Sequence, residues 1–329
     1  MKKYVQLFLS LVLGIGIGLL ICILYYRINI WKPEPEAKRL KGYKYISQLL
    51  DYETVAELKN REIFILENKI ERFINEKVKE NEAIYISVYF RDLLNGPWFG
   101  INEKENFAPA SLLKVPLMIA YLKQAEQNPE LLKYELMYEK KINDNVRQNI
   151  LPDREMETGK SYSIEELIYR MIVYSDNNAK NLLLIHINED ILNKGYSDIG
   201  IIVPDIREKS DFMTVKEYAS FFRVLFNASY LNKEMSEKAL EILTSSTFEI
   251  GIKSGVPSDI EVAHKFAERG DKTNNTLQLH DCGIVYHKER PYILSVMTYG
   301  RDFYILVDII KSISTMVYTE VDTYYKNKR

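Results

Sequence analysis

A serine and a lysine, three residues apart, are the side chains of this sequence best placed to do covalent chemistry. Ser111 and Lys114 open a predicted helix that runs to about Gln124, so both side chains share one helical face. A lysine that is desolvated and near other cations has a lowered pKa and can accept a serine hydroxyl proton. The positive end of a helix also favours an oxyanion. The pair therefore predicts a serine nucleophile with a lysine base.

Two further short segments, each with polar or charged side chains, could complete such a site. A Ser-Asp-Asn run at residues 175–177 lies between two predicted helical segments, and a Lys-Phe-Ala run at residues 265–267 lies on a predicted strand. Each candidate also has a simpler interpretation. Ser111 and the Ser-Asp-Asn run could cap helices, and Lys265 could be an exposed strand lysine. The sequence alone leaves these alternatives open for each run taken singly.

The three runs together carry a resemblance to a known superfamily. Ser-x-x-Lys, then Ser-Asp-Asn, then Lys-Thr-Gly is the signature of class A β-lactamases and penicillin-binding proteins. This chain is similar to that superfamily from about residue 83 to its C-terminus, and it most resembles the class A branch. The first two runs match fully, whereas the third has Phe266 and Ala267 after its lysine. The resemblance implies a serine enzyme that opens a β-lactam or a D-Ala-D-Ala amide through an acyl-enzyme.

The resemblance also implies a role for each matching residue. Ser111 would be the nucleophile, and Lys114 would accept its proton or tune a neighbouring base. Ser175 would relay a proton to the leaving nitrogen. Asn177 would bind the amide of the substrate's side chain and help to position Lys114. Lys265 would attract the substrate carboxylate.

The substrate-binding strand is where this sequence departs from the family pattern. The backbone N–H groups of Ser111 and Glu268 would form the oxyanion hole. Phe266 replaces a hydroxyl residue that helps to hold the substrate carboxylate, so we expect weaker or reorganised anchoring. Ala267 replaces a glycine, and its side chain is expected to point toward the crevice and crowd the Ser111 helix. Both changes predict altered β-lactam turnover.

The step that releases the acyl group is not assigned by the sequence. Class A β-lactamases use a glutamate, in a Glu-x-x-x-Asn pattern between the second and third runs, to activate water. Residues 202–208 lack that pattern, and Asp205 and Glu208 are the nearest candidates. Without such a base the acyl-enzyme should persist, as it does in penicillin-binding proteins. A D-Ala-D-Ala carboxypeptidase or transpeptidase is therefore an alternative function, and a non-catalytic envelope pseudoenzyme is another.

The order of predicted elements indicates an α+β fold. Alternating apolar runs predict five strands, at residues 84–90, 98–101, 260–266, 279–286 and 292–298. A capping box at Thr54 and Glu57 begins a predicted helix that ends near Lys79, and a final helix covers residues 303–324. Residues 163–244 are mostly helical and include a second capping box at Thr214. This order fits a five-stranded antiparallel sheet flanked by terminal helices, with an all-helical insertion.

The N-terminus predicts a membrane anchor. Residues 5–26 are apolar apart from Gln6 and Ser10 and are long enough to cross a bilayer as a helix. No small-residue cleavage site follows them, so an uncleaved signal anchor is favoured over a removed signal peptide. We therefore predict an anchor at residues 1–27, a tether at 28–53 and a hydrolase domain at 54–329. Basic residues after the anchor oppose export, but large domains translocate largely regardless of charge, which favours an extracytoplasmic domain.

Composition limits the classes of partner. The formal net charge is −2, so no strong field favours nucleic acid. The four histidines show no metal-ligand spacing, and neither a metal nor any other cofactor is expected. The predicted partners are a small β-lactam or a peptidoglycan stem peptide, together with the membrane through residues 5–26.

Overall fold

The computed structural model describes residues 6, 16, 44–46, 60–94, 97–139, 143–201, 211–271 and 273–326. The predicted anchor and tether lie almost wholly outside these residues, as does the predicted capping box at Thr54. No helix within these ranges combines the length and the apolar character needed to cross a membrane. The chain divides into two units, and the second, residues 41–48 and 54–329, contains all the strands and helices described.

The strands and helices are numbered separately, each in chain order. The strands are β1 (Ala83–Asp92), β2 (Trp98–Ile101), β3 (Asn106–Phe107), β4 (Glu135–Met137), β5 (Ser161–Ser163), β6 (Met213–Thr214), β7 (Val262–Asp271), β8 (Thr276–Val285) and β9 (Tyr292–Gly300). The helices are α1 (Asn60–Lys79), α2 (Lys114–Ala125), α3 (Ile164–Val173), α4 (Asn177–His186), α5 (Glu189–Asp198), α6 (Val215–Phe226), α7 (Lys233–Thr244) and α8 (Phe303–Lys326).

The main sheet has five antiparallel strands in the order β2-β1-β9-β8-β7, which confirms the predicted sheet. Strand β7 forms one edge, and its Lys265 is paired in register with Cys282 of β8. The two halves of the sheet come from opposite ends of the domain. Folding therefore brings the third predicted motif, on β7, beside elements that precede it by more than one hundred residues.

The terminal helices α1 and α8 bury apolar stripes in the hydrophobic core against the sheet. Leu66, Ile70 and Ile74 of α1 meet the same core as Ile310 and Ile313 of α8, and each is almost completely buried. Full burial of one such side chain contributes about 1.5–3 kcal/mol. The near-helical spacing of these residues in the sequence thus predicts which face of each helix packs against the sheet.

The helices α2 to α7 form the insertion between the two halves of the sheet. Helix α6 begins with the predicted capping box, in which the Thr214 hydroxyl accepts from the Glu217 N–H and the Glu217 carboxylate accepts from the Thr214 N–H. The box fixes the start of a helix that packs on β1, β8 and β9. Together these elements make an α+β fold whose helical insertion faces the β7 edge.

Candidate active site

Ser111 lies on a tight turn that precedes helix α2. Residues Ala110–Leu113 form a 3₁₀ turn and the α-helix begins at Lys114, so the predicted helix start at Ser111 is three residues early. A 3₁₀ turn is common at a helix N-terminus, and it aligns side chains three apart. Ala110 has a φ of 45°, which is uncommon for a non-glycine residue and often marks a functional position.

Neighbouring elements hold this turn from both sides. The Ala108 N–H donates to Gln278 Oε1 at 2.9 Å, and His280 Nε2 lies 3.1 Å from the Ala108 carbonyl oxygen. Burial lowers the pKa of His280 to about 4, so its neutral ring donates that hydrogen bond through Nε2. The Tyr218 hydroxyl donates to the Leu112 carbonyl at 3.1 Å. Strand β8 and helix α6 therefore hold the backbone on both sides of Ser111.

Two buried lysines converge on one serine hydroxyl. Lys114 Nζ donates to the Ser175 carbonyl oxygen at 2.6 Å and to Ser175 Oγ at 3.0 Å. Lys265 Nζ lies 3.1 Å from the same Oγ and donates to the Phe266 carbonyl oxygen at 2.8 Å. The two lysines and Ser175 are each at most 1% exposed. The structure thus brings together one residue from each of the three predicted motifs.

Burial lowers the pKa of both amines. Desolvation holds the pKa of Lys114 well below its usual range, and the positive charge of Lys265 lowers it further. Desolvation also lowers the pKa of Lys265 to about 7, against the opposing effect of the Asp281 and Glu268 carboxylates. The lowered pKa makes Lys114 a better proton acceptor one turn from Ser111, and Lys265 loses its charge as the pH rises through about 7.

Ser175 owes its position to the backbone and to a buried aspartate. Ser175 has a φ of 53°, which turns the chain sharply before helix α4. Asp176 caps that helix by accepting from the N–H groups of Asn178 at 2.8 Å and Ala179 at 3.3 Å. The capping interpretation from the sequence is therefore correct for Asp176. It coexists with the placement of Ser175 between the two lysines.

Asn145 is a site residue that the sequence did not single out. Its side chain is completely buried and donates from Nδ2 to Asp176 Oδ1 at 2.9 Å. Its Oδ1 accepts from the Asn177 N–H at 2.7 Å. Asn145 therefore links a separate loop to the Ser-Asp-Asn run. A lone asparagine in a polar stretch gives no sequence signal for such a role.

Asn177 lies at the same loop, half-buried, at the first turn of α4. Its Nδ2 points to the Asp144 carbonyl oxygen at 3.5 Å, a long hydrogen bond. Lys114, which Asn177 was expected to help position, is held instead by both oxygens of Ser175. The Asn177 side chain is thus weakly held and available for a substrate group.

Phe266 and Ala267, the two residues of β7 that depart from the family pattern, lie in different surroundings. The Phe266 ring stacks on Phe248 with centroids 4.1 Å apart, inside the hydrophobic core. The Lys265 ammonium lies 4.1 Å from the centroid of the same ring, so the phenyl group covers part of that cation. Ala267 is fully buried on the same strand face as Lys265, because strand side chains alternate. That face packs against the 3₁₀ turn of Ser111.

Glu268, expected to donate a backbone N–H, also uses its carboxylate. Oε1 accepts from the N–H groups of Asn149 at 2.6 Å and Ile150 at 3.1 Å, and Oε2 accepts from Asn149 Nδ2 at 2.7 Å. These bonds join β7 to the loop that carries Asn145. Glu268 is therefore a second site residue whose side-chain contacts the sequence did not predict.

The sequence predicted no metal centre and offered two candidates for the deacylating base. Among the described residues, no group of three or more His, Cys, Asp or Glu side chains could hold a metal ion. Asp205 and Glu208, the candidates for the deacylating base, lie outside the described residues. The described part of the site therefore consists of serine, lysine, asparagine and carboxylate groups.

Comparison with known proteins identifies the family. The model of the beta-lactamase enzyme family matches residues 66–321, so the chain belongs to that family. A beta-lactamase of Bacillus licheniformis is 26% identical over 241 residues, which cover 69% of this chain and 75% of the relative. The resemblance drawn from the three motifs is confirmed.

Solved structures agree on the fold. A mutant of PBP-A, in an acyl-enzyme complex with penicillin G, has a TM-score of 0.67 at 19% identity, covering 83% of this chain and 100% of its own. A mutant of the class A beta-lactamase of the last common ancestor of Gram-negative bacteria has a TM-score of 0.65 at 22% identity, covering 77% and 99%. The fold is that of the class A β-lactamase-like serine hydrolases.

Proposed function

We propose that this protein is a serine acyl-enzyme that reacts with β-lactams, anchored in the cell membrane with its catalytic domain outside the cytoplasm. The observation that carries the proposal is the hydroxyl of Ser175 held between the Lys114 and Lys265 amines, with Ser111 one turn before Lys114. A purely structural serine has no need of two fully buried lysines, because burying each amine costs desolvation free energy.

Acylation follows from the positions of these groups. Ser111 Oγ attacks the β-lactam carbonyl carbon while neutral Lys114 accepts its proton, and the carbonyl oxygen becomes an oxyanion. The N–H groups of Ser111 and Glu268 stabilise that oxyanion; losing one such donor typically costs about 10²–10³-fold in rate. The C–N bond then breaks, and the proton passes from Lys114 through Ser175 Oγ to the leaving nitrogen. The product is an ester of Ser111 with an opened ring.

The second step separates β-lactamase activity from penicillin-binding activity. Hydrolysis needs a water that attacks the ester and a base that takes its proton. Residues 202–208 lack the Glu-x-x-x-Asn pattern of class A enzymes, and without such a base the acyl-enzyme should persist. The likeness to PBP-A, whose mutant was captured as a penicillin G acyl-enzyme, supports the same view. D-Ala-D-Ala carboxypeptidase or transpeptidase work on a peptidoglycan stem peptide is therefore the second candidate.

Membrane anchoring rests on the sequence of residues 5–26, an apolar run long enough to span a bilayer. We expect the chain to fractionate with membranes and to resist extraction by high salt, because the anchor is hydrophobic. Protease added to intact cells should digest the catalytic domain if it is extracytoplasmic. Protection in intact cells, with digestion only after lysis, would reverse the proposed orientation.

The activities are separated by two measurements on the same full-length protein. Steady-state hydrolysis of a chromogenic cephalosporin, with many turnovers per protein, would identify a β-lactamase. A stoichiometric fluorescent-penicillin adduct that persists without turnover would identify a penicillin-binding enzyme, and release of D-alanine from a stem peptide would then define its reaction. If the protein shows no adduct and no turnover, the proposal is refuted and a non-catalytic binding protein is the remaining alternative.

A further inference from the structure

A second concave site lies between helix α6 and the β1–β2 edge of the sheet. It encloses about 230 Å³, and none of its lining residues belongs to the site around Ser111. Tyr89 and Arg91 project from one face of β1, because they are two residues apart on a strand. Arg91 is paired in register with Trp98 of β2, which completes the floor of the pocket. We call this site the α6 pocket.

The α6 pocket concentrates positive charge. Lys216 and Arg223 stand two turns apart on α6 and line it together with Arg91. In the described part of the chain, no carboxylate lines the pocket and no ion pair involves these three cations. Three like charges around one small concavity repel each other, so an anion bound there would relieve the repulsion. Such a cluster of three cations is unexpected in a chain of formal net charge −2.

The α6 pocket also offers an aromatic surface. Trp98 is 44% exposed, and its ring lies beside that of Tyr89 with centroids 5.8 Å apart. The Lys216 ammonium sits 4.3 Å from the centroid of the Trp98 ring, in cation–π contact. A partly exposed tryptophan inside a concave, cationic site can contact the carbon skeleton of a ligand whose anionic end meets the arginines.

We propose that the α6 pocket binds the phosphoryl group of an organic phosphate. Two guanidinium groups can each bind a phosphate with two parallel hydrogen bonds, and a lysine adds a third charge. A phosphate monoester carries a charge of about −1.5 to −2 near pH 7, which matches three cations better than a single carboxylate does. The phosphate can belong to a soluble molecule or to a lipid head group, and a titration with both kinds of probe separates these two sources.

Tryptophan fluorescence provides a local readout. The chain has only two tryptophans, so the full-length Trp31→Phe protein in a nonionic detergent reports on Trp98 alone. Inorganic phosphate and glycerol phosphate are titrated at constant ionic strength, with chloride as the replaced anion. We expect a saturable change in Trp98 emission with the soluble phosphates. Micelles doped with phosphatidic acid, a phosphate monoester, test the lipid source, and micelles with the zwitterionic phosphatidylcholine are the control.

Variants connect the signal to the three cations. Arg91→Gln with Arg223→Gln should weaken phosphate binding by about tenfold or more, because hydrogen bonds to charged groups are lost. Lys216→Gln, an exposed change that leaves both arginines in place, should weaken binding less. Arg301→Gln alters an exposed arginine outside the pocket and should change nothing.

The outcomes decide the proposal. Saturation by soluble phosphate that depends on the arginines supports the site with a soluble ligand. An arginine-dependent response only to phosphatidic acid supports it with a lipid head group. No response to any phosphate-bearing probe, an equal response to chloride, or a response that survives loss of both arginines and of Lys216 would overturn it.

Discussion

The two sides of the active site differ in how far they keep the family pattern. On the helical side, Ser111, Lys114 and Ser175 match it, and the buried Asn145 ties a separate loop to the Ser-Asp-Asn run. On the β7 side only Lys265 matches, and the residues after it are changed. The Lys265 ammonium is partly covered by a phenyl ring and donates to a backbone carbonyl.

This difference separates bond-making from substrate anchoring. The groups proposed to move a proton onto and off Ser111, Lys114 and Ser175, match the family pattern in type and are joined by buried hydrogen bonds. The strand that would hold a substrate carboxylate has Phe266 in place of a hydroxyl residue, and its Glu268 carboxylate is bonded to the opposite loop. We therefore expect acylation chemistry to be intact while the preference among substrates has shifted. Substitutions on each side test this contrast.

Lys114→Met should greatly slow acylation, the reaction expected of the helical side of the site. The change removes the amine that accepts the Ser111 proton while keeping a long apolar side chain in a fully buried position. General-base catalysis contributes about 10²–10⁴-fold, so the rate of acylation by a fluorescent penicillin should fall by that factor. Lys123→Met, at a partly exposed position near the other end of the same helix, is the matched control. An acylation rate within about threefold of wild type would remove Lys114 as the base.

Asn145→Ala should weaken the helical side through its loops. It removes the acceptor of the Asn177 N–H and one of three donors to Asp176 Oδ1, and an unsatisfied polar group costs about 1–3 kcal/mol when buried. We expect the free energy of unfolding in urea to fall by about that amount and acylation to slow by about tenfold or more. Asn274→Ala, at an exposed turn, should affect neither quantity. Unchanged stability and rate would show that Asn145 is dispensable.

The pH dependence of acylation should report Lys265. Its pKa is lowered to about 7 by burial, so the cation that attracts an anionic substrate is lost as the pH rises through about 7. The second-order rate of acylation should therefore decline above that pH. Lys265→Arg should move the decline upward, because a guanidinium stays protonated. A decline at the same pH in both proteins would assign it to another group.

Glu268→Gln should give the smallest effect and sharpen the interpretation of the β7 side. The Glu268 carboxylate raises the pKa of Lys265, so removing its charge should move the decline in acylation to lower pH by less than about one unit. Glu105→Gln, at an exposed position away from β7, is the control. A shift to higher pH would contradict the electrostatic role given to Glu268.

The sequence predicted the frame of this molecule better than its side-chain network. Alternation of apolar residues identified all five strands of the main sheet, because only one strand register places the apolar side chains on the buried face. Helical spacing of apolar residues identified α1 and α8. The start of α2 was misplaced, because the 3₁₀ turn at Ser111 depends on tertiary contacts to Ala108 and Leu112.

The hydrogen bonds made by loop residues could not be predicted from the sequence, for a physical reason. Asn145 and Asn149 sit in a polar stretch without periodicity, and their partners, Asp176 and Glu268, are 31 and 119 residues away in the chain. Hydrogen bonds across such separations depend on the assembled fold. By contrast, the motif residues Lys114 and Lys265 could be named in advance, since residue type and order carry their signal.

The central claim is that Ser111 forms a covalent ester within the site built by the two lysines. Intact mass spectrometry of the full-length protein, followed over time after addition of penicillin G, tests it most directly. The wild type and the matched Ser197→Ala variant should gain the mass of one penicillin G molecule, whereas Ser111→Ala should gain none. An equal adduct on Ser111→Ala, or no adduct on wild type at any time in the absence of turnover, would contradict the account.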